Sequence, residues 1–248
     1  YAGMVRVRVE VGFSYWHPFI AEAMQRLDED GFREVFLMPL YPHYSKTTTG
    51  SCFKTWRGIQ RTRGERRFRV QSVKSYHAHP DYLAAINQRI DEGLRRFPAE
   101  RRGEVTLLFS AHGTPVKLVE QGDPYSKQIR ATVEEVMRLR TDALPYHLSF
   151  QSKVGPAKWL EPDTVIKTEE LARRGVRDML VVPVAFVTDH IETLHELNIE
   201  LRHTAEQCGM RQFEVMPALN DSALYIDALA RQIIERMQRR AQLKDAQR

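Results

Sequence analysis

Strand-like and helix-like segments alternate along the whole chain. Short runs rich in Val, Leu and Phe, of the length of a buried strand, recur between longer segments whose apolar residues repeat at helical spacing. The predicted strands are residues 5–11, 34–41, 68–76, 104–110, 148–153, 179–187 and 213–217. The predicted helices are residues 19–30, 80–97, 125–140, 163–174 and 222–242, with further helices near residue 53 and after residue 189. This order predicts an α/β fold with mainly parallel sheets, most simply as two Rossmann-like halves.

The segment 179–200 has the pattern most typical of a functional site. Its first half is a Val-rich run, as expected of a strand covered on both faces. Asp189 then occupies an N-cap position with Glu192 three residues on, which predicts a capping box. Glu192, Glu196 and Glu200 are spaced four residues apart, so a helix would place these three carboxylates on one face. A solvated acidic surface is the alternative interpretation. The position directly after a buried strand favours a site, because open α/β sheets bind ligands beyond the carboxyl ends of their strands.

A second strand end carries chemistry in the sequence Ser110-Ala111-His112-Gly113. In a parallel sheet this end and the end before Glu192 emerge at the same edge, so His112 and Glu192 are expected to face one another. An imidazole and a carboxylate suit a first-row divalent metal with open coordination positions. They equally suit proton abstraction near neutral pH. The proximity of Ser110 to His112 does not indicate a serine hydrolase, since the chain has no G-x-S-x-G motif.

Aromatic side chains cluster at predicted strand ends and loops. They either pack in the core or line a slot for a flat, apolar ligand. The set is Phe13, Tyr15, Trp16, Tyr41, Tyr44 and Trp159. Lys153 and Lys158 lie near Trp159 in the sequence, a combination that would suit a planar ligand bearing carboxylates.

Composition and charge restrict the function classes. The formal net charge of +5 allows an acidic ligand, nucleic acid or an anionic membrane surface as partner, but no nucleic-acid-binding motif surrounds the scattered basic residues. No apolar run approaches the roughly 18 residues of a membrane span. No G-x-G-x-x-G or P-loop motif supports a nucleotide cofactor. Two cysteines, Cys52 and Cys208, indicate a reduced, cytoplasmic protein and are too few for a four-cysteine iron–sulfur cluster.

Several motifs, occurring in order, resemble those of the ferrochelatases, which insert ferrous iron into a porphyrin at the end of heme synthesis. They are VGFSYWHPF, LYPHYSKTTTGS, FSAHGTP, QGDPYSKQI, FQSKVGPAKWLEP and PVAFVTDHIETLHELNIE. The resemblance implies two Rossmann-like, chelatase-type domains with a porphyrin cleft between them. One domain would comprise residues 1–46 plus 215–248, including a returning C-terminal helix, and the other residues 47–214. The resemblance to the ferrochelatases also implies an opening strand and an apolar, porphyrin-gripping loop upstream of Tyr1.

The resemblance assigns roles to particular residues. His112 and Glu192 match the family's facing histidine and glutamate, which bind the metal, accept pyrrole protons, or both. Glu196 and Glu200 match further acidic positions, a conduit or second metal site. The residues expected to contact the porphyrin are Tyr15, Tyr41, Tyr44, Gln151, Lys153, Trp159 and His190. Ser14 departs from the family pattern, because many members have Arg at this position.

The implied function is insertion of Fe²⁺ into protoporphyrin IX to give protoheme. Iron is then a substrate, no tightly bound cofactor is expected, and no iron–sulfur cluster either, since Lys46 lies where animal enzymes place a cluster cysteine. The expected partners are porphyrin and ferrous iron, with no nucleic acid; the basic charge allows peripheral contact with an anionic inner membrane. The oligomeric state stays open. The alternatives are a chelatase for coproporphyrin III or sirohydrochlorin, and a non-catalytic porphyrin- or heme-binding protein.

Overall fold

The computed structural model describes residues 6–64, 68–153 and 155–245. Strands and helices alternate along these ranges. The elements are α1 (Ile20–Glu29), β1 (Glu34–Leu37), α2 (Thr49–Arg61), β2 (Arg69–Ser72), α3 (Pro80–Leu94), a 3₁₀ helix (Ala99–Glu104), β3 (Thr106–His112), α4 (Val116–Glu120), α5 (Tyr125–Leu139), β4 (Tyr146–Gln151), α6 (Thr164–Arg173), β5 (Asp178–Pro183), a π-helix (Glu192–Glu200), α7 (Leu201–Gln207), β6 (Gln212–Val215) and α8 (Ala223–Asp245). Every pair of neighbouring strands is parallel, which confirms the predicted α/β class.

The chain divides into two compact units. Unit 1 contains the described residues of Tyr1–Pro39 and Ser45–Lys74, and unit 2 contains those of Leu40–Tyr44 and Ser75–Arg248. In unit 1, β1 and β2 form a two-stranded sheet. Its core consists of apolar residues from α1, α2 and the start of β2, namely Ile20, Met24, Leu27, Trp56 and Phe68.

Unit 2 is built on a four-stranded sheet in the order β4-β3-β5-β6. The two central strands carry apolar runs because both of their faces are covered. On one face Leu108 and Val181 pack with Leu171 of α6 and Leu197 of the π-helix. On the other face Leu180 lies directly under α3. Helices on both faces of a parallel sheet leave the carboxyl edge of the strands as the place for a site.

The observed division differs from the predicted domain boundaries. Residues 69–72 pair with β1 in unit 1, although they were expected in the second domain. The C-terminal helix α8 packs against α3 in unit 2, where the buried Tyr225 hydroxyl lies 2.8 Å from the Tyr76 hydroxyl. Strand pairing and aromatic packing, which the sequence motifs do not reveal, therefore determine the boundary.

The predicted N-terminal strand was wrong over its described part. Residue 5 lies outside the described ranges, and residues 6–12 adopt no regular strand. Val7 and Val9 are 77% and 85% exposed, so the alternating pattern does not place them against the core. Within the described residues of unit 1, the sheet contains β1 and β2 alone. No helix in the described ranges is long and apolar enough to cross a membrane.

Candidate active site

The two predicted strand ends meet at one edge of the unit 2 sheet. β3 ends in His112, and the chain leaving β5 turns at residues 184–190 before the π-helix begins at Glu192. His112 Nδ1 lies 2.8 Å from Glu192 Oε2. The structure therefore brings this pair together as the strand order predicts.

The contact between His112 and Glu192 defines which imidazole nitrogen is basic. The hydrogen bond from His112 holds the pKa of Glu192 below its ordinary value, although partial burial opposes this. Near neutral pH the carboxylate is then ionised and only accepts hydrogen bonds, so Nδ1 of His112 carries the proton. In the neutral ring, Nε2 keeps its lone pair, and no described residue hydrogen-bonds it.

The strand end that carries His112 is fixed by its neighbours. The Tyr125 hydroxyl donates to the backbone oxygen of His112 at 2.9 Å, and the Phe186 ring meets the imidazole edge-on with 6.3 Å between ring centroids. Burial raises the pKa of Tyr125, as does the charge of Glu192, so this hydroxyl stays a donor. The His112 side chain is nevertheless 40% exposed, and a substrate can reach it.

The acidic segment is wound as a π-helix instead of the predicted α-helix. Its hydrogen bonds close over five residues, so the turn is wider than in an α-helix. Glu192 and Glu196 still turn toward the end of β4, where Ser152 contacts both carboxylates. Glu200 does not join them; it is exposed, and its carboxylate lies 3.5 Å from His195 Nδ1. The described residues contain no group of three or more His, Cys, Asp or Glu side chains arranged to hold a metal.

The predicted capping box at Asp189 was wrong. Glu192, its expected partner, accepts from His112 instead. Asp189 makes a reciprocal pair with Asn220: its backbone N–H donates to Asn220 Oδ1 at 3.0 Å, and Asn220 Nδ2 donates to its carboxylate at 2.9 Å. Thr193 takes the place expected of Glu192, because its hydroxyl accepts from the backbone N–H three residues earlier, that of His190, at 3.0 Å. The loop before the π-helix is thus tied to the segment before α8.

Ser152 is the site residue that sequence reasoning missed. Its hydroxyl lies 2.6 Å from Glu196 Oε2 and 3.3 Å from Glu192 Oε2. Its φ of 62° is in the left-handed region, which costs a non-glycine residue about 1–3 kcal/mol. Such backbone strain concentrates at functional sites. In the sequence, Ser152 lies within the motif FQSKVGPAKWLEP and near the end of the predicted strand 148–153.

Gln151, a predicted porphyrin contact, is buried and bonded to protein groups. Its Nε2 donates to Glu196 Oε2 at 3.2 Å and to the backbone oxygen of Glu192 at 3.3 Å. Its Oε1 accepts from the Ser110 hydroxyl at 2.8 Å, and that hydroxyl continues to Thr164 at 3.0 Å. A hydrogen-bonded chain inside the unit therefore holds the amide against the π-helix.

Three other residues of unit 2 were predicted to contact the porphyrin, namely Trp159, His190 and Lys153. Trp159 packs on Gly113, next to His112 in the chain, and the His190 ring lies 4.6 Å from that of Phe186, which contacts His112. Lys153 pairs with Asp163 at 3.3 Å.

The three predicted tyrosines differ in their surroundings. Tyr41 is 45% exposed. The backbone N–H of Tyr44 donates a hydrogen bond to Gln128 Oε1. Tyr15 belongs to unit 1 and is 84% exposed. Their predicted roles stay predictions.

A buried histidine lies behind the site. The ring of His43 meets that of Tyr125 edge-on, with centroids 6.0 Å apart. The Thr132 hydroxyl donates to the backbone oxygen of His77, so it accepts from His43 Nε2 at 2.9 Å. His43 Nδ1 is then the unprotonated nitrogen, and it has no hydrogen-bond partner among the described residues. Burial, aided by His77, lowers the pKa of His43 to about 3.

The chain is similar in sequence to known proteins. The family model described as Ferrochelatase matches residues 2–237. The chain is 42% identical over 233 residues to a ferrochelatase of Gloeobacter violaceus, covering 93% of this chain and 71% of the relative. It is 43% identical over 225 residues to a ferrochelatase of Geotalea uraniireducens, covering 90% of this chain and 69% of the relative.

A solved structure, SirB from Bacillus subtilis with Fe³⁺, shares the fold with a TM-score of 0.67. The superposition covers 93% of this chain and 83% of that one, at 12% sequence identity, so it bears on the fold alone. The family model and the two relatives match nearly the whole chain, including the strand ends that carry His112 and Glu192. The chain belongs to the ferrochelatase family.

Proposed function

We propose that this chain is a metal-chelating lyase that inserts Fe²⁺ into protoporphyrin IX, giving protoheme and two protons. The proposal rests on family membership together with one observation, the 2.8 Å contact between His112 Nδ1 and Glu192 Oε2 at the carboxyl edge of a parallel sheet. The reaction needs a group that accepts pyrrole protons and a place for a divalent cation. The partly exposed imidazole of His112, hydrogen-bonded to the Glu192 carboxylate, supplies the proton-accepting group.

His112 acts as the base in this proposal. Its Nε2 takes the two pyrrole protons in succession, releasing the first to solvent before it takes the second, and the Glu192 carboxylate stabilises each imidazolium through Nδ1. Glu192 and Glu196, whose carboxylates both contact Ser152, attract the incoming cation. Glu200 lies farther along the π-helix beside His195. Its role as a second binding position for iron, or as a proton acceptor on the way to solvent, stays a proposal.

Iron enters this scheme as a substrate. We propose no resident cofactor and no iron–sulfur cluster, in keeping with a chain that has two cysteines. The porphyrin contacts that remain proposed are Trp159, His190 and Lys153 near the sheet edge, and the tyrosines at positions 15, 41 and 44. Cytoplasmic location is likewise a proposal, supported by the low cysteine content, and peripheral contact with an anionic membrane is one supported by the net charge of +5.

Anaerobic metal insertion tests the proposed function. The chain is mixed with protoporphyrin IX and either Fe²⁺ or Zn²⁺, and consumption of the free porphyrin is followed by its fluorescence. Replacing His112 with Ala should lower kcat by roughly 10²–10⁴-fold, the usual contribution of a positioned acid–base group. His203→Ala is the matched control, because His203 is an exposed imidazole on α7 whose Nε2 lies 2.8 Å from Gln207 Nε2. Undiminished turnover in His112→Ala would refute the assignment.

A substrate panel separates the alternatives. Faster insertion into coproporphyrin III or sirohydrochlorin than into protoporphyrin IX would reassign the substrate while keeping the reaction. Tight binding of protoporphyrin IX without insertion of either metal would instead identify a porphyrin-binding protein on a chelatase scaffold.

A further inference from the structure

The Ser152 hydroxyl is shared by two carboxylates of the π-helix. It lies 2.6 Å from Glu196 Oε2 and 3.3 Å from Glu192 Oε2. A hydroxyl has one proton to donate, and the shorter distance assigns that proton to Glu196. Two ionised carboxylates repel one another, so each needs its own donor to stay turned toward the other: His112 donates to Glu192, and Ser152 donates to Glu196.

The backbone holds Ser152 in an unusual conformation at this point. Its φ of 62° lies in the left-handed region, which Ser adopts rarely. Gln151, the preceding residue, ends β4 and donates to Glu196 as well. The buried hydroxyls of Ser110 and Thr164 anchor the Gln151 amide from within unit 2. The Ser152 hydroxyl is thus presented by a rigid strand end.

We propose that Ser152 is a positioning residue for the metal-insertion reaction, which holds Glu196 beside Glu192 for the incoming cation. This inference rests on the proposed function. Ser152 acts through the two carboxylates and exchanges no proton with the porphyrin. Its contribution is preorganisation: the carboxylates are already turned toward the end of β4 when the cation arrives.

Two substitutions separate the hydroxyl from the backbone. Ser152→Gly removes the donor and also relieves the left-handed strain, since Gly populates positive φ readily. Ser152→Asn tolerates positive φ and restores an N–H donor for the carboxylates. Ala143→Gly is the matched control, because Ala143 has a φ of 49° in an exposed loop before β4, at the opposite edge of the sheet.

The experiment compares kcat, the KM for each substrate, Zn²⁺ affinity by calorimetry and the urea midpoint. Ser152→Gly should lower kcat about tenfold and weaken Zn²⁺ binding about threefold or more, while the KM for protoporphyrin stays within about twofold. Its urea midpoint should be no lower than that of the wild type, because relieved strain offsets the lost hydrogen bonds. Ser152→Asn should recover kcat to within about threefold of the wild type, and Ala143→Gly should leave kcat unchanged.

Three results would overturn the inference. They are wild-type kcat and Zn²⁺ affinity in Ser152→Gly, a urea midpoint that falls together with its activity, and failure of Ser152→Asn to recover activity. A wild-type chain without insertion activity would refute the proposed function instead. The Zn²⁺ affinities would then still decide whether Ser152 positions the two carboxylates.

Discussion

Gly113 follows His112 at the point where the chain leaves β3, and it is expected to tolerate no side chain. A Cβ atom added there would lie 2.8 Å from the backbone oxygen of Gln151 and 3.4 Å from Trp159 Cε3. The same Gln151 oxygen accepts the Gly113 N–H at 2.8 Å. Gly113→Ala therefore forces apart two strand ends that a hydrogen bond holds together.

The size of the effect follows from these distances. Relief of the contact requires a displacement of about 0.5 Å, because nonbonded atoms of this kind approach to roughly 3.3 Å or more. Overpacking of this kind costs about 1–3 kcal/mol of folding free energy. The displaced atoms adjoin both His112 and Ser152. Since a 1 Å misplacement can lower catalysis about 10²-fold, we expect a loss of about tenfold in kcat.

Urea unfolding and Zn²⁺ insertion measure the two consequences of Gly113→Ala. Gly103→Ala is the control, because a Cβ at Gly103 would have no atom within 4 Å. Its free energy of unfolding should stay within about 0.5 kcal/mol of the wild type. If Gly113→Ala matched this control in both stability and kcat, the strand ends would not be as tightly apposed as the structure describes.

Two further predictions concern buried charged or titratable groups. His43 is neutral in the fold because burial lowers its pKa to about 3. As pH decreases below about 6.5, the His43 ring binds a proton in the unfolded chain but not in the folded one. The free energy of unfolding should therefore fall by about 1.4 kcal/mol per pH unit. His43→Gln, which keeps a donor for Thr132, should reduce the slope of urea midpoints between about pH 4 and pH 6, leaving the contribution of groups such as His77, whose pKa burial also lowers. The Asp178 carboxylate is 1% exposed and accepts from Arg101 and Arg211 at the start of β5. Asp178→Asn should cost about 1–3 kcal/mol of stability by urea unfolding. Its kcat should stay at the wild-type value, because Asp178 lies at the amino end of β5 and the site lies at the carboxyl ends of the strands. A changed kcat would contradict this reasoning.

The parts of the site that depend on strand order were predictable from the sequence. An apolar run such as β3 or β5 is buried whatever its neighbours are, and parallel strands present their carboxyl ends at one edge. The sequence pattern alone therefore predicts that His112 and Glu192 meet, and they do so at 2.8 Å.

The parts that depend on backbone detail were not predictable. The π-helix has the same residue pattern as an α-helix over Glu192–Glu200, and its hydrogen bonding is set by tertiary contacts such as Leu197 in the core. The role of Ser152 depends on a left-handed backbone that its residue type disfavours. The N-terminal alternation at Val7 and Val9 predicted a strand, but a strand also needs a partner to pair with.

The π-helix also constrains how the length of this segment can vary between relatives. Conversion of its hydrogen bonds to the α-helical pattern would accompany the loss of one residue between Glu192 and Leu201. A π turn holds about one residue more than an α turn, so loss of one residue from this two-turn segment would restore only part of the α-helical register, and Glu192 would turn part-way from His112 or Leu201 part-way out of the core. Substitutions on the outer face of the segment should be tolerated far better than a single-residue deletion within it.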